Sequence, residues 1–167
     1  MAKIGILIAD LFEEREFIYP YYRLQEAGHE VVVIGPEVKT FHGKSGFPFK
    51  AHLSAAAVKA EDLSGLVIPG GFAPDHMRRS GPMVELVKAL NRRNRPIAAI
   101  CHAGWMLISA DIVRGRQVTG YHSIRIDLIN AGATFVDDAP VVDGNLVTAR
   151  EPRDIPVWMA AFLEKLG

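Results

Sequence analysis

One cysteine stands in the 167-residue chain, Cys101, and His102 follows it directly. A thiol beside an imidazole is a minimal set for nucleophilic catalysis, since the thiolate can attack a carbonyl carbon while the imidazole moves the proton. The pair closes an apolar run, Ala98-Ala99-Ile100, and a helical pattern of Ala103, Met106, Leu107 and Ala110 begins at once. That is the layout of a nucleophile elbow, where a strained strand-to-helix turn lifts the reactive atom out of the sheet. A helix N-terminus there would favour the thiolate. The plainer alternative is a buried, inert cysteine. The strand-helix junction favours the catalytic reading.

Two further loops could supply chemistry. In Pro69-Gly70-Gly71, two glycines after a buried strand leave backbone N–H groups unshielded, as an oxyanion hole requires; an ordinary turn is the alternative. The segment Asp10-Leu11-Phe12-Glu13-Glu14-Arg15-Glu16 has no glycine and four carboxylates. It would repel phosphates, which argues against a dinucleotide fold. Without other information it reads as an acidic helix start. His42-Gly43-Lys44-Ser45 resembles the end of a phosphate-binding loop, but Val38 occupies the place of its first glycine, so it reads as a turn. The six histidines show no metal-ligand spacing, and neither a metal nor a cofactor is expected.

These loops must be held by a sheet. Ile4–Ala9, Val31–Ile34, Leu66–Ile68 and Ile97–Ile100 are unalternating apolar runs, suited to parallel strands covered on both faces. Helical stripes separate them: Phe17, Tyr21 and Leu24 in one, and Met83, Leu86, Val87 and Leu90 after a capping Ser80 in another. Pro20 predicts a kink or a late start in the first. Thr40–Lys50 and the Asp143-Gly144-Asn145 turn predict antiparallel hairpins. The expected fold is a single α/β domain over residues 1–167: a flavodoxin-like sandwich with a mostly parallel sheet, helices on both faces and a small antiparallel annex. Ligands of such sheets bind at the carboxyl ends of the strands, where all three loops fall.

Composition narrows the partners. Nineteen basic and nineteen acidic residues leave no net charge, so neither nucleic acid nor anionic membrane is an expected partner. One cysteine excludes an internal disulfide. The opening apolar run is too short for a secretory leader, and a cytoplasmic protein is expected.

Several motifs occur together and in order: Glu16-Phe17-Ile18-Tyr19-Pro20, Pro69-Gly70-Gly71-x-Ala73-Pro74, Ala99-Ile100-Cys101-His102, Asn130-Ala131-Gly132-Ala133, Val141-Val142-Asp143-Gly144-Asn145 and Arg150-x-Pro152. With them the chain resembles the PfpI family of intracellular cysteine peptidases and stress proteins, of the class I glutamine amidotransferase-like fold. The resemblance implies Cys101 as nucleophile and His102 as its partner. It implies Glu13 as the carboxyl beside the sulfur, Gly70 and Gly71 with the His102 amide around the oxyanion, and Tyr121 near the pocket. The family's triad glutamate comes from a neighbouring subunit, and its position here is Asp75, one methylene shorter. A homo-oligomer follows, a dimer or a hexamer of dimers.

The implied activity is thiol-dependent attack on a carbonyl. Substrates would be small carbonyl compounds such as methylglyoxal and glycated protein (deglycase or glyoxalase type), or peptides; Asp75 favours the small aldehydes. The alternative is a redox-sensing or chaperone-like stress protein whose Cys101 is oxidised to sulfenic or sulfinic acid. A glutaminase is disfavoured, because no histidine follows His122.

Overall fold

The computed structural model describes residues Met1–Gly167. Its main sheet is built from β1 (Lys3–Leu7), β2 (Glu30–Gly35), β5 (Leu53–Ser54), β6 (Gly65–Ile68), β7 (Ile97–Ile100), β10 (Val141–Asp143) and β11 (Leu146–Ala149), in the order β10-β11-β7-β6-β1-β2-β5. All pairs are parallel except the β10–β11 hairpin at one edge. β6, β7 and β11 are buried at every position, which is why their sequences show no alternation. A hairpin of β3 (Thr40–His42) and β4 (Pro48–Lys50) and a small pair of β8 (Gln117–Val118) and β9 (Thr134–Phe135) stand outside this sheet.

Six helices complete the fold: α1 (Glu14–Glu26), α2 (Ala73–Met77), α3 (Gly81–Arg92), α4 (Gly104–Ser109), α5 (Arg125–Asn130) and α6 (Ile155–Leu166). α1 meets α6, which lies over β7 and β11, while α3 lies against β6 and β7 and meets α4. This is the flavodoxin-like α/β sandwich expected from the strand pattern. Ser80 caps α3 as expected, its Oγ accepting from the Met83 N–H at 3.4 Å. α1 is continuous through Pro20, which is buried in its interior, so of the kink or late start expected there the late start does not occur. Glu13 caps that helix instead, accepting from the Glu16 N–H at 3.1 Å. No helix is long and apolar enough to cross a membrane.

The chain crosses from β2 on one side of β1 to β6 on the other, so the strand order reverses between β1 and β6. β7 lies next to β6. The carboxyl ends of β1, β6 and β7 are therefore side by side, and they carry the three loops singled out by their chemistry. Phe12 locks two neighbours together, bridging to Gly71 on one side and to Gly43 of the β3–β4 hairpin on the other.

Candidate active site

Cys101 leaves β7 with φ at +61°. A left-handed backbone at a residue with a side chain is a strained arrangement, found where function over-determines geometry. The strain aims the thiol at the mouth of the next helix, as a nucleophile elbow does. One turn of 3₁₀ helix, Cys101–Ala103, precedes α4. The Cys101 carbonyl accepts from the Tyr121 N–H at 3.1 Å, which ties the elbow to the Tyr121 loop.

His102 Nδ1 lies 3.2 Å from Cys101 Sγ. Its other nitrogen, Nε2, lies 3.2 Å from Ser123 Oγ. Trp105 and Tyr121 flank the imidazole, each with its ring centre 5.1 Å away. Burial, with Lys44 and His122 adding to it, lowers the His102 pKa. The ring is therefore neutral at neutral pH and able to accept the thiol proton. Asp75 is exposed on α2, and within the protomer Ser123, rather than Asp75, meets the histidine.

The carboxyl beside the sulfur is Glu16, not Glu13. Both Glu13 oxygens are engaged elsewhere: Oε2 caps α1, and Oε1 accepts from Arg15 Nε at 2.7 Å. Glu16 is fully buried. Its Oε2 accepts from the Gly70 N–H at 2.6 Å, while Oε1 has no partner. Burial pushes its pKa up to about 8 against the opposing Gly70 hydrogen bond, with the Glu13 charge helping. Gly70 and Glu16 also explain each other, because a Cβ on Gly70 would lie 2.6 Å from Glu16 Oε2 and 2.7 Å from Cys101 Cβ. Gly70 thus spends its N–H on the carboxyl and is no oxyanion donor. The N–H groups that reach the sulfur belong to His102 and Gly71.

Burial, and next the Glu16 charge, push the Cys101 thiol up to about 12, against those two N–H groups and Lys44. The depressed thiol pKa expected from the helix N-terminus is overridden by desolvation, and α4 has only six residues to build a dipole. The resting site is a neutral set: thiol, imidazole and carboxylic acid. His102 Nδ1 is placed to take the thiol proton, and a protonated Glu16 beside the sulfur would add no repulsion to a thiolate. The pocket over these groups has a volume of about 320 Å³ and is lined by Arg15, Lys44, Phe72, Tyr121 and Glu151 besides the groups named. Arg150 fixes the wall bearing Glu151, gripping Asp154 through Nε and Nη2 at 2.9 and 3.1 Å.

Sequence reasoning missed Glu16, Ser123 and Lys44. Glu16 left a signal: with Phe17, Pro20 and Leu24 it lies on the buried stripe of α1, and a carboxylate on such a stripe needs a reason. Ser123 lies in a single 3₁₀ turn, His122–Ile124, and left none, while Lys44 belongs to the His42-Gly43-Lys44-Ser45 segment that reads from sequence as a plain turn.

A parallel sheet with a cysteine on an elbow at its switch point, beside a histidine and a buried glutamate, defines a class of thiol-bearing α/β proteins. Within that class the chain belongs to the DJ-1/PfpI family, whose model matches residues 2–165. It is 43% identical over 164 residues to a Pyrococcus horikoshii protein named deglycase PH1704, covering 98% of this chain and 99% of the relative. It is 42% identical over 169 residues to general stress protein 18 of Bacillus subtilis, covering 98% of each. Among solved structures, it matches a two-domain protein from Anabaena variabilis with DJ-1/ThiJ/PfpI-like and ferritin-like domains, at TM-score 0.98 and 41% identity. That match covers 100% of this chain and 48% of the other, so this chain spans about half its length.

Proposed function

We propose that the protein is a thiol-dependent enzyme that converts small reactive 2-oxoaldehydes such as methylglyoxal, and releases their early adducts from proteins. The observation that carries this reading is the neutral His102 Nδ1 held 3.2 Å from the sulfur on a strained elbow. The relative named deglycase agrees with it.

In the proposed reaction, the Cys101 proton passes to His102 as Sγ bonds to the aldehyde carbon. The carbonyl π pair moves to oxygen, where the Gly71 and His102 N–H groups meet the negative charge. Return of the proton from His102 gives a hemithioacetal. A proton then leaves the former aldehyde carbon and returns to the adjacent one through an enediol, leaving a thioester of lactate. His102 is the group placed to carry it. Water cleaves the thioester and restores the thiol, so methylglyoxal and water give lactate. Neutral Glu16 keeps a second negative charge away from the sulfur throughout. The proposal includes a cytoplasmic homo-oligomer in which Asp75, exposed on α2, reaches the His102 of a second copy.

Parallel assays with methylglyoxal and a fluorogenic peptide test the choice of reaction. Lactate formation without peptide cleavage is expected. Peptide cleavage without lactate would replace this reading with the peptidase.

A further inference from the structure

Most charges around the Cys101 pocket are already compensated. Arg15 Nε meets Glu13 Oε1 at 2.7 Å, and Arg153 is paired with Glu151. Glu16 is neutral below about pH 8. Lys44 is the exception: it lines the pocket, and no carboxylate lies within ion-pair distance of its ammonium.

The loop that carries Lys44 is built to stay in place. Leu11 N–H donates to the His42 carbonyl at 2.7 Å, and Lys44 N–H to the Phe12 carbonyl at 2.9 Å. Asp10 accepts from the His42 N–H at 2.9 Å, and Glu14 from the Ser45 N–H at 2.5 Å. Asp10 and Glu14, the carboxylates of this loop's own clamp, are therefore both occupied by backbone. The Lys44 ammonium lies 5.7 Å from the centre of the Phe72 ring, a cation–π contact that holds it over the next loop of the site. Its field reaches Cys101, His102 and Glu16, opposing the rise at the thiol and the carboxyl and adding to the fall at the imidazole.

A fixed, uncompensated cation in a small pocket beside a nucleophile selects ligands by charge. We infer that Lys44 is a specificity-determining residue whose ammonium binds a carboxylate carried by the substrate beside its 2-oxoaldehyde group, whose aldehyde carbon Cys101 attacks. The substrate class is then a short 2-oxoaldehyde bearing an acid group, whose aldehyde carbon rises to the carboxyl level as its neighbouring ketone carbon is reduced, as in the proposed reaction. This inference rests on Cys101 being the nucleophile of the proposed reaction.

Two alkylating probes that differ only in charge provide the test. Iodoacetate and iodoacetamide both transfer a methylene carbon to the thiolate sulfur with loss of iodide, and neither requires carbonyl chemistry. Lys44→Gln should lower the ratio of iodoacetate to iodoacetamide rates at Cys101 by about fivefold, the worth of one near charge in a wet pocket. Lys44→Arg should hold the ratio within about twofold, since it keeps the charge. In turnover, Lys44→Gln should raise KM for 2,3-dioxopropanoate, a 2-oxoaldehyde that carries a carboxylate, more than for methylglyoxal. A ratio of alkylation rates that is the same in Lys44→Gln and the wild type would overturn the inference. A lowered ratio in a protein that turns over neither aldehyde would overturn the proposed reaction and leave the anion site standing.

Discussion

Glu16→Gln is expected to raise the reactivity of Cys101 toward iodoacetamide at pH 9 by roughly tenfold, and to change it little at pH 6. At pH 6 the wild-type carboxyl is protonated, because its pKa stands at about 8, and glutamine presents the same neutral shape. At pH 9 the wild type carries a buried anion that opposes the thiolate, and glutamine does not. The amide can still accept from the Gly70 N–H, so the variant keeps the contact that seats the side chain. The same residue sets a stability profile. Its folded pKa lies above its ordinary value of 4.5, so its contribution is complete below pH 4.5 and is lost as the pH rises toward 8. The loss reaches up to about 5 kcal/mol, from a shift of roughly three and a half units at about 1.4 kcal/mol each. Denaturant melts at pH 5 and pH 9 should show Glu16→Gln gaining on the wild type by an amount of that order at the higher pH. A difference between the two proteins that stays constant across that range would mean that Glu16 is ionised in the folded state throughout.

Gly71→Ala should be among the most damaging small substitutions in the chain. Gly71 has φ at +73°, and a Cβ there would lie 2.4 Å from the Leu11 carbonyl oxygen and 2.6 Å from the Glu13 nitrogen. Both are backbone atoms of the loop that Phe12 locks in place, so neither can yield by a rotamer change. The left-handed conformation alone costs alanine about 1 kcal/mol, and forced displacement of a well-packed loop adds about 1–3 kcal/mol more. A fall in melting temperature of about 5–12 °C follows for a domain of this size. The expected loss of activity is larger, because the Gly71 N–H aimed at the sulfur moves with the loop; removal of one oxyanion donor is worth about a hundredfold or more in kcat. Gly46→Ala is the matched control. Gly46 has φ at +90° with nothing within 4 Å of its would-be Cβ, so it reports the conformational cost alone. Equal melting temperatures for the two variants would contradict the close approach at Gly71.

Much of the architecture was legible because burial writes itself into sequence. β6, β7 and β11 are covered on both faces, and their continuous apolar runs say so. Ser80 declared the start of α3, and the Thr40–Lys50 and Val141–Val147 hairpins declared their turns. The elbow was legible as an apolar strand, a cysteine and a helical stripe in immediate succession. Pro20 misled, because a missing N–H and a ring clash argue against a helix interior, yet α1 continues through it with the proline buried. The identity of the sulfur's carboxyl neighbour was not legible from Glu13 and Glu16 by adjacency in the chain. It depends on helix phase: the residue that caps α1 points its carboxylate at backbone, while the one three positions on turns into the core. The thiol pKa was misjudged for a related reason, since desolvation is a property of the packed site and not of the Cys-His dipeptide. Lys44 lies far from Cys101 in sequence, and the pairing of its loop with the Asp10–Glu14 segment, which in turn bridges to Gly71 through Phe12, brings it to the pocket.

The claim that Cys101 is the carbon-attacking group is tested most directly by following methylglyoxal labelled with carbon-13 at the aldehyde carbon. With the wild-type protein, the NMR signal of that carbon should move from the hydrated aldehyde to the carboxyl of lactate. With Cys101→Ser it should remain unconverted, because an alcohol at that position is far less acidic and far less nucleophilic than a thiol. Conversion by Cys101→Ser at the wild-type rate would contradict the account.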